Sequence, residues 1–263
     1  MNNEENKKYE GQGNNWTAFF AGDHDIKGFI KHVVESPGST AKRNGDFSGI
    51  INLQGPVKAL VLVKVNPENA EVYSAYPFLQ ISNRVEIEIE KIDEWSNGAE
   101  AVISGSVGHA SISFFDTLYF LNKGKYEVGK KYIFEIGALA HSFIKRDEKD
   151  LVMIPDTGPL KGEKLYTHKM TSFLPVHEYP SEFQFTCPFV NFSGEANSYE
   201  QNFKVFPFWL RNNDTDVPVI TFPMYINSKI IKGDPKTNDS IQGVASLQGY
   251  LADSFDEVNE LLK

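Results

Sequence analysis

The sequence predicts an all-β protein, and three observations predict it. Apolar and polar residues alternate over most of the chain, Gly, Pro, Asn and Lys turns punctuate those runs, and aromatics reach 13%, with 20 Phe, 11 Tyr and 3 Trp among 263 residues. Aromatic and β-branched side chains suit a pleated, half-buried surface better than a helix. At this length a core forms without disulfides or metals, and 41% hydrophobic with 23% charged content excludes a disordered, fibrous or coiled-coil chain.

The elements follow in order. Residues 1–15 are mostly Asn, Glu, Lys and Gly and read as a mobile arm. Ile26, Phe29, Ile30 and Val33 then recur at helical spacing behind Asp25, a good N-cap, and stop at Ser36-Pro37-Gly38, which gives one short amphipathic helix. After Lys42, Arg43, Asn44 and Gly45 the period changes to two. Strands are expected at Phe47–Leu53, Val57–Val65, Val85–Trp95, Glu100–Val107, Ala110–Phe120 and Tyr132–His141. The Pro- and Gly-rich stretch 147–180 reads as a connection, after which strands resume at Phe183–Phe192, Phe203–Leu210, Val217–Asn227 and Ser240–Tyr250. Phe255, Val258, Leu261 and Leu262 fit one face of a C-terminal helix.

The expected organisation is therefore an arm and helix at 1–40, a first β unit at 41–146, a linker at 147–180 and a second β unit with a C-terminal helix at 181–263. The halves echo each other: Ile136-Gly137-Ala138-Leu139 aligns with Val244-Ala245-Ser246-Leu247, and Ile133 with Ile241. An internal repeat and two unrelated units with common turn chemistry both account for this. In the last strand Ile241, Gly243, Leu247, Gly249 and Leu251 share one face, and glycine alternating with aliphatics suits a strongly bent strand. That pattern resembles the closing strand of an oligonucleotide/oligosaccharide-binding (OB) barrel, a likeness of architecture that implies no activity. The units are expected to be small OB-like barrels or sandwiches.

Several chemistries can be weighed from motifs. Gly124-Lys125-Tyr126-Glu127-Val128-Gly129-Lys130 matches the start of a phosphate-binding loop, but Lys131 stands where Ser or Thr would hold magnesium. The alternation from Tyr132 onward is a strand where that motif requires a helix. Asp156-Thr157-Gly158 has the form of an aspartic protease loop, yet no second copy supplies the partner carboxylate. His24, His32, His109, His141, His168 and His177 lack the spacing of a zinc helix or finger, and Asp23-His24-Asp25 reads as capping. Cys187 is the single cysteine, so no internal disulfide forms, and it reads as a small buried hydrophobe. There is no Gly-x-Ser-x-Gly elbow. No cofactor, metal site or catalytic residue is expected.

Charge narrows the partners. Acidic residues outnumber basic ones 35 to 26, for a formal charge of -9, which is unlike a duplex-DNA binder. Residues 1–150 carry 17 Lys and Arg against 21 Asp and Glu, and residues 151–263 carry 9 against 14. Glu86, Glu88 and Glu90 form an outer row on one strand, to be answered by Lys58 and Lys64 or by Lys123, Lys125, Lys130 and Lys131. The polar start Met1–Glu10 is no secretory signal, and the longest aliphatic run, Ala59–Val63, is too short to span a bilayer. A cytoplasmic protein is expected, and the Asn-, Lys- and Phe-rich composition suits an AT-rich bacterial or phage genome.

These readings lead to a non-catalytic component that binds another protein through sheet edges, loops and the arm. The alternative is a single-stranded nucleic-acid binder, with bases stacked on Phe206, Phe208 and Trp209 and phosphates held by Lys123, Lys125, Lys130, Lys131, Lys204 and Arg211.

Overall fold

The computed structural model describes residues 15–147, 152–154, 156–158, 161–166, 171–176, 179–211 and 218–255. The protein is all-β. Two short helices open it, α1 (Asn15–Phe20) and α2 (Ile26–Glu35). The second begins where expected, because Asp25 accepts a hydrogen bond from the Gly28 amide at 3.0 Å and so satisfies an orphan donor. The first was not anticipated. Six residues are too few for a visible period, and α1 is held by packing: Trp16, Phe19 and Phe20 cluster with Phe29 at centroid distances of 5.1 to 6.0 Å.

Strands β1 (Ser39–Asn44), β2 (Phe47–Asn52), β3 (Val57–Val65) and β4 (Ala70–Leu79) form an antiparallel sheet in that order. β4 escapes sequence reading because Pro77 interrupts its pattern, which an outer strand tolerates. Lys58 is buried in β3, where its ammonium donates to the Leu53 and Gly55 carbonyls at 3.1 and 2.7 Å, and burial lowers its pKa to about 8. It holds its own turn and does not answer the glutamate row.

The large sheet comprises β5 (Arg84–Glu94), β6 (Ala101–Val107), β7 (Ala110–Asp116), β8 (Lys131–Lys145), β11 (Ser172–Val176), β12 (Tyr179–Pro188), β13 (Gly194–Ser198), β14 (Gln201–Arg211), β15 (Pro218–Asn227), β16 (Ile231–Lys232) and β17 (Ser240–Leu251). β9 (Val152–Met153) and β10 (Leu165–Tyr166) pair separately. A short helix, α3 (Tyr119–Asn122), follows β7. Expected strands agree with these except that Ala110–Phe120 ends as a strand at Asp116, the strand from Tyr132 runs on to Lys145, and the one expected at Phe183–Phe192 is found at Tyr179–Pro188. β1 and β13 were not expected, and β9, β10, β11 and the start of β12 fall within the stretch expected to be a linker. The C-terminal helix expected from Phe255 to Leu262 falls largely outside the described residues.

β8 and β17 are the spine. They pair antiparallel from Leu251–Phe134 to Ile241–Lys145, so strands on either side of the expected 147–180 linker belong to one sheet. The segments 136–139 and 244–247, which echo each other in sequence, lie along this pairing, with Leu247 opposite Ala138. β5, β6, β7, β17 and β8 also close a ring, since β8 pairs β5 and β17 pairs β7. Val85, Ile87, Ile103, Phe114, Phe134, Ile136 and Leu247 belong to the core inside it. That core continues through Phe143, Phe183, Phe185, Phe206, Phe208 and Phe222 under the rest of the sheet. The expected common face of β17 is real, and its glycines serve close approach. A Cβ on Gly243 would lie 2.1 Å from the Ser142 carbonyl oxygen, and one on Gly249 would lie 2.4 Å from Ile136. A second core, with Trp16, Phe19, Phe78, Leu139 and Tyr250, packs the small sheet and the helices on the outer face.

Candidate functional site

The lysines proposed for phosphate contact are mostly engaged with acids. Lys123 meets Glu94 at 2.8 Å and the Gly98 carbonyl at 3.2 Å, and Lys131 meets Glu86 at 3.0 Å, so the hairpin does answer the glutamate row. Lys125 lies in the turn, where its carbonyl accepts from Tyr132 Oη, and Lys130 is exposed beside it. Lys204 sits on β14, paired with Glu195 and 6.0 Å from the Phe192 ring centroid. Arg211 ends β14, and its side chain lies outside the described residues. Phe206 and Phe208 correct the expectation of exposed stacking rings: both are 0% exposed, because alternation turns them into the core, and Trp209 is half-buried 6.2 Å from Phe206. A buried ring offers no face to a base.

Asp116 is fully buried at the end of β7. Tyr126 Oη donates to it at 2.5 Å and the Leu118 amide at 2.9 Å, while burial raises its pKa to about 7. Asn122, beside it, accepts from Ser254 Oγ at 2.9 Å. These bonds tie down the turn between β7 and β8, an internal bracing role. Among the described residues no three His, Cys, Asp or Glu side chains gather as metal ligands, and no helix is long and apolar enough to cross a membrane.

Two surfaces depart from the ordinary inside-outside rule. The first is on the outer face of β8, β12 and β17. Pairing shifts between Val244 and Ala245, which face Ser142 and Ala140, so His141 is an extra residue in β8. This bulge changes which way side chains point. Ala138 and Ala140 face the inner core before it and Phe143 faces it afterwards, so His141 and Ser142 both turn outward. Ser142 Oγ then accepts from the Val244 amide at 3.0 Å. His141 Nε2 lies 2.6 Å from Ser246 Oγ, whose own proton is given to Asn15 Oδ1 at 2.7 Å, so the imidazole is the donor to the serine.

Glu182 faces Ser246 across the β12–β17 ladder and lies 3.7 Å from His141 Nε2. Its side chain is 10% exposed and that of His141 19%. Burial moves the two in opposite senses, Glu182 up to about 7 and His141 down to about 4, so both favour neutral forms. The serine and the acid share one imidazole nitrogen, unlike a nucleophilic triad in which the acid orients the ring from the other nitrogen. Beyond Glu182, the same face opens into a concavity of about 300 Å³ lined by Ser142, Ile144, Ser172, Leu174, Gln184 and Val244, among others.

The second surface lies between α2 and β4. Ile30, Val34 and Val72 line a recess of about 370 Å³ flanked by Lys27, Lys31 and Glu35. Val72 and Tyr73 are 47% and 45% exposed. Tyr73 is the extra residue of a bulge in β4, since Val63 faces Val72 and Leu62 faces Ser74, and its ring meets Phe47 edge-on at 5.7 Å.

Sequence reading named neither surface. His141 appeared only as one of six scattered histidines, and nothing in a single sequence marks the bulge. Glu182-Phe183-Gln184-Phe185-Thr186 does carry a usable signal, an alternating polar face opposite two phenylalanines. No family model matches this chain, and neither a curated protein nor a solved structure shows significant similarity to it.

Proposed function

We propose that this protein is a non-catalytic recognition component that binds another protein, with the α2–β4 surface as its contact. The observation that carries this reading is the apolar recess itself. Val34, Val72 and Tyr73 stay in water on a domain whose other large side chains are mostly packed, and an apolar patch rimmed by charges is the usual mark of a contact site. The bulge at Tyr73 breaks the regular outer ladder of β4, so the mode supported is side-chain docking and not addition of a partner strand.

The test is affinity capture with the full chain against its Val34→Asp/Val72→Asp double variant, followed by titration of any protein retained. A partner whose affinity falls at least tenfold in the variant supports the reading. A partner bound equally by both, or tight and salt-sensitive binding of a fluorescent single-stranded oligonucleotide, overturns it.

A further inference from the structure

The geometry points to a second binding site on the outer face of β8, β12 and β17, in which Glu182 receives the cationic head of an alkylammonium ligand and the adjoining concavity holds its stem. This inference is independent of the α2–β4 reading. It starts from an incomplete site. Glu182 is about nine-tenths buried, yet among the described residues its carboxyl accepts no hydrogen bond, and His141 Nε2 stands 3.7 Å away. That nitrogen already donates to Ser246, which donates to Asn15. Those neighbouring donors are thus committed, and the carboxyl retains acceptor capacity that an incoming group can fill.

A charge removed from water is stable only when paired, so the fitting group is a cation. Shape narrows it further. Gln184 and Val244 are the next pair along the ladder from Glu182 and Ser246, on the same face, and both line the concavity. Val244, Ile144 and Leu174 supply hydrocarbon for a methylene stem, while Ser172, Gln184, Thr186 and Gln242 supply hydroxyl and amide groups around it. About 300 Å³ sits at the small end of ligand pockets and accommodates one linear amine. The His141 bulge makes the arrangement, since a regular strand would turn either His141 or Ser142 into the core.

The same chemistry is offered by a free alkyl diamine and by a lysine side chain, and one experiment separates them. The full chain is titrated calorimetrically at pH 8 with 1,5-diaminopentane, with N-acetyl-lysine methylamide and with the uncharged norleucine analogue, and amide shifts are followed by NMR. Both amines stay protonated there. Expected is saturable binding of at least one amine, none of the norleucine analogue, and shifts centred on Ser172, Gln184 and Gln242. Tenfold preference for the lysine derivative assigns a peptide side chain, and the reverse a free amine. Among the described residues, His141 is the titratable group beside Glu182, and it stays neutral in this range. Binding therefore weakens more than tenfold between pH 8 and pH 5.5, because the carboxyl, held near 7, must first lose its proton. Glu182→Gln lowers affinity at least tenfold. The inference fails if neither amine binds, if the norleucine analogue binds as well, or if the shifts fall elsewhere, and these three readouts use the unmodified protein.

Discussion

The α2–β4 margin and the outer face of β8, β12 and β17 break opposite rules. One leaves apolar side chains in water, Val34, Val72 and Tyr73, where packing would have rewarded their burial. The other takes a carboxyl and an imidazole largely out of water and, among the described residues, leaves the carboxyl without a hydrogen bond. Both are built on strand irregularities, at Tyr73 and at His141. The difference between them lies in what stands behind each bulge. Behind His141 is the closed aromatic core, which fixes the register on both sides, whereas β4 is an outer strand with solvent beside it. A bulge over a core can hold a polar group in a costly place, and a bulge at an edge can hold an apolar group in an idle one.

The largest expected effect comes from removing that backing. Phe143 restores the inward register after His141, and its ring lies 5.5 Å from Phe206 and 5.9 Å from Phe192. Phe143→Ala should cost about 3–5 kcal/mol in chemical denaturation, as deletion of a buried phenyl ring does. It should also shift the NMR signals of His141 and Ser246 in the folded fraction. Unchanged signals there would mean that the bulge does not depend on the core beneath it.

Titration gives the next effect, and its sign separates the two groups of the polar face. Glu182 has a folded pKa raised to about 7 from 4.5, so its contribution is fully present below 4.5 and is lost as pH rises through 7. His141 is lowered to about 4 from 6.5, so its contribution is present above 6.5 and is lost as pH falls through 4. Between pH 4.5 and 6.5 the two oppose each other. Relative to the parent protein, Glu182→Gln should then lose stability on acidification across this window, and His141→Asn should gain it. The slopes approach about 1.4 kcal/mol per pH unit at most, less for groups that retain some solvent. Buried Asp116 titrates in all three proteins and drops out of the differences. Parallel stability curves for the three would show that the pair does not carry opposed shifts.

Much of this fold was legible in the chain, and most of this chemistry was not. The row Glu86, Glu88, Glu90 announced β5, and the odd-numbered face of β17 announced its inner side, because alternation is a local property. The parity that placed Phe206 and Phe208 on one face was equally legible, yet parity does not say which face is covered. That depends on β8 and β17, more than a hundred residues apart, becoming neighbours. The polar face is the same problem at higher resolution: Asn15, His141, Glu182 and Ser246 come from four distant elements, and one inserted residue decides that His141 joins them. Pattern reads an element, while a site depends on register between elements.

The smallest expected effect sharpens the comparison from the apolar side. Val34→Asp and Val72→Asp replace side chains that already meet water, on helix α2 and outer strand β4, so each should change stability by no more than about 0.5 kcal/mol. The contrast is Val33→Asp, one residue along the same helix, where the side chain is fully buried against the small sheet. An unpaired carboxylate there should prevent folding or cost several kcal/mol. Denaturation midpoints of the three variants test the division directly. If Val72→Asp costs as much as a core substitution, the recess is an imperfectly closed part of the core, and its exposure is a packing defect with no partner to explain. If it costs nothing, the hydrocarbon at Val34 and Val72 contributes no stability to the isolated chain, which is what the proposed contact surface requires.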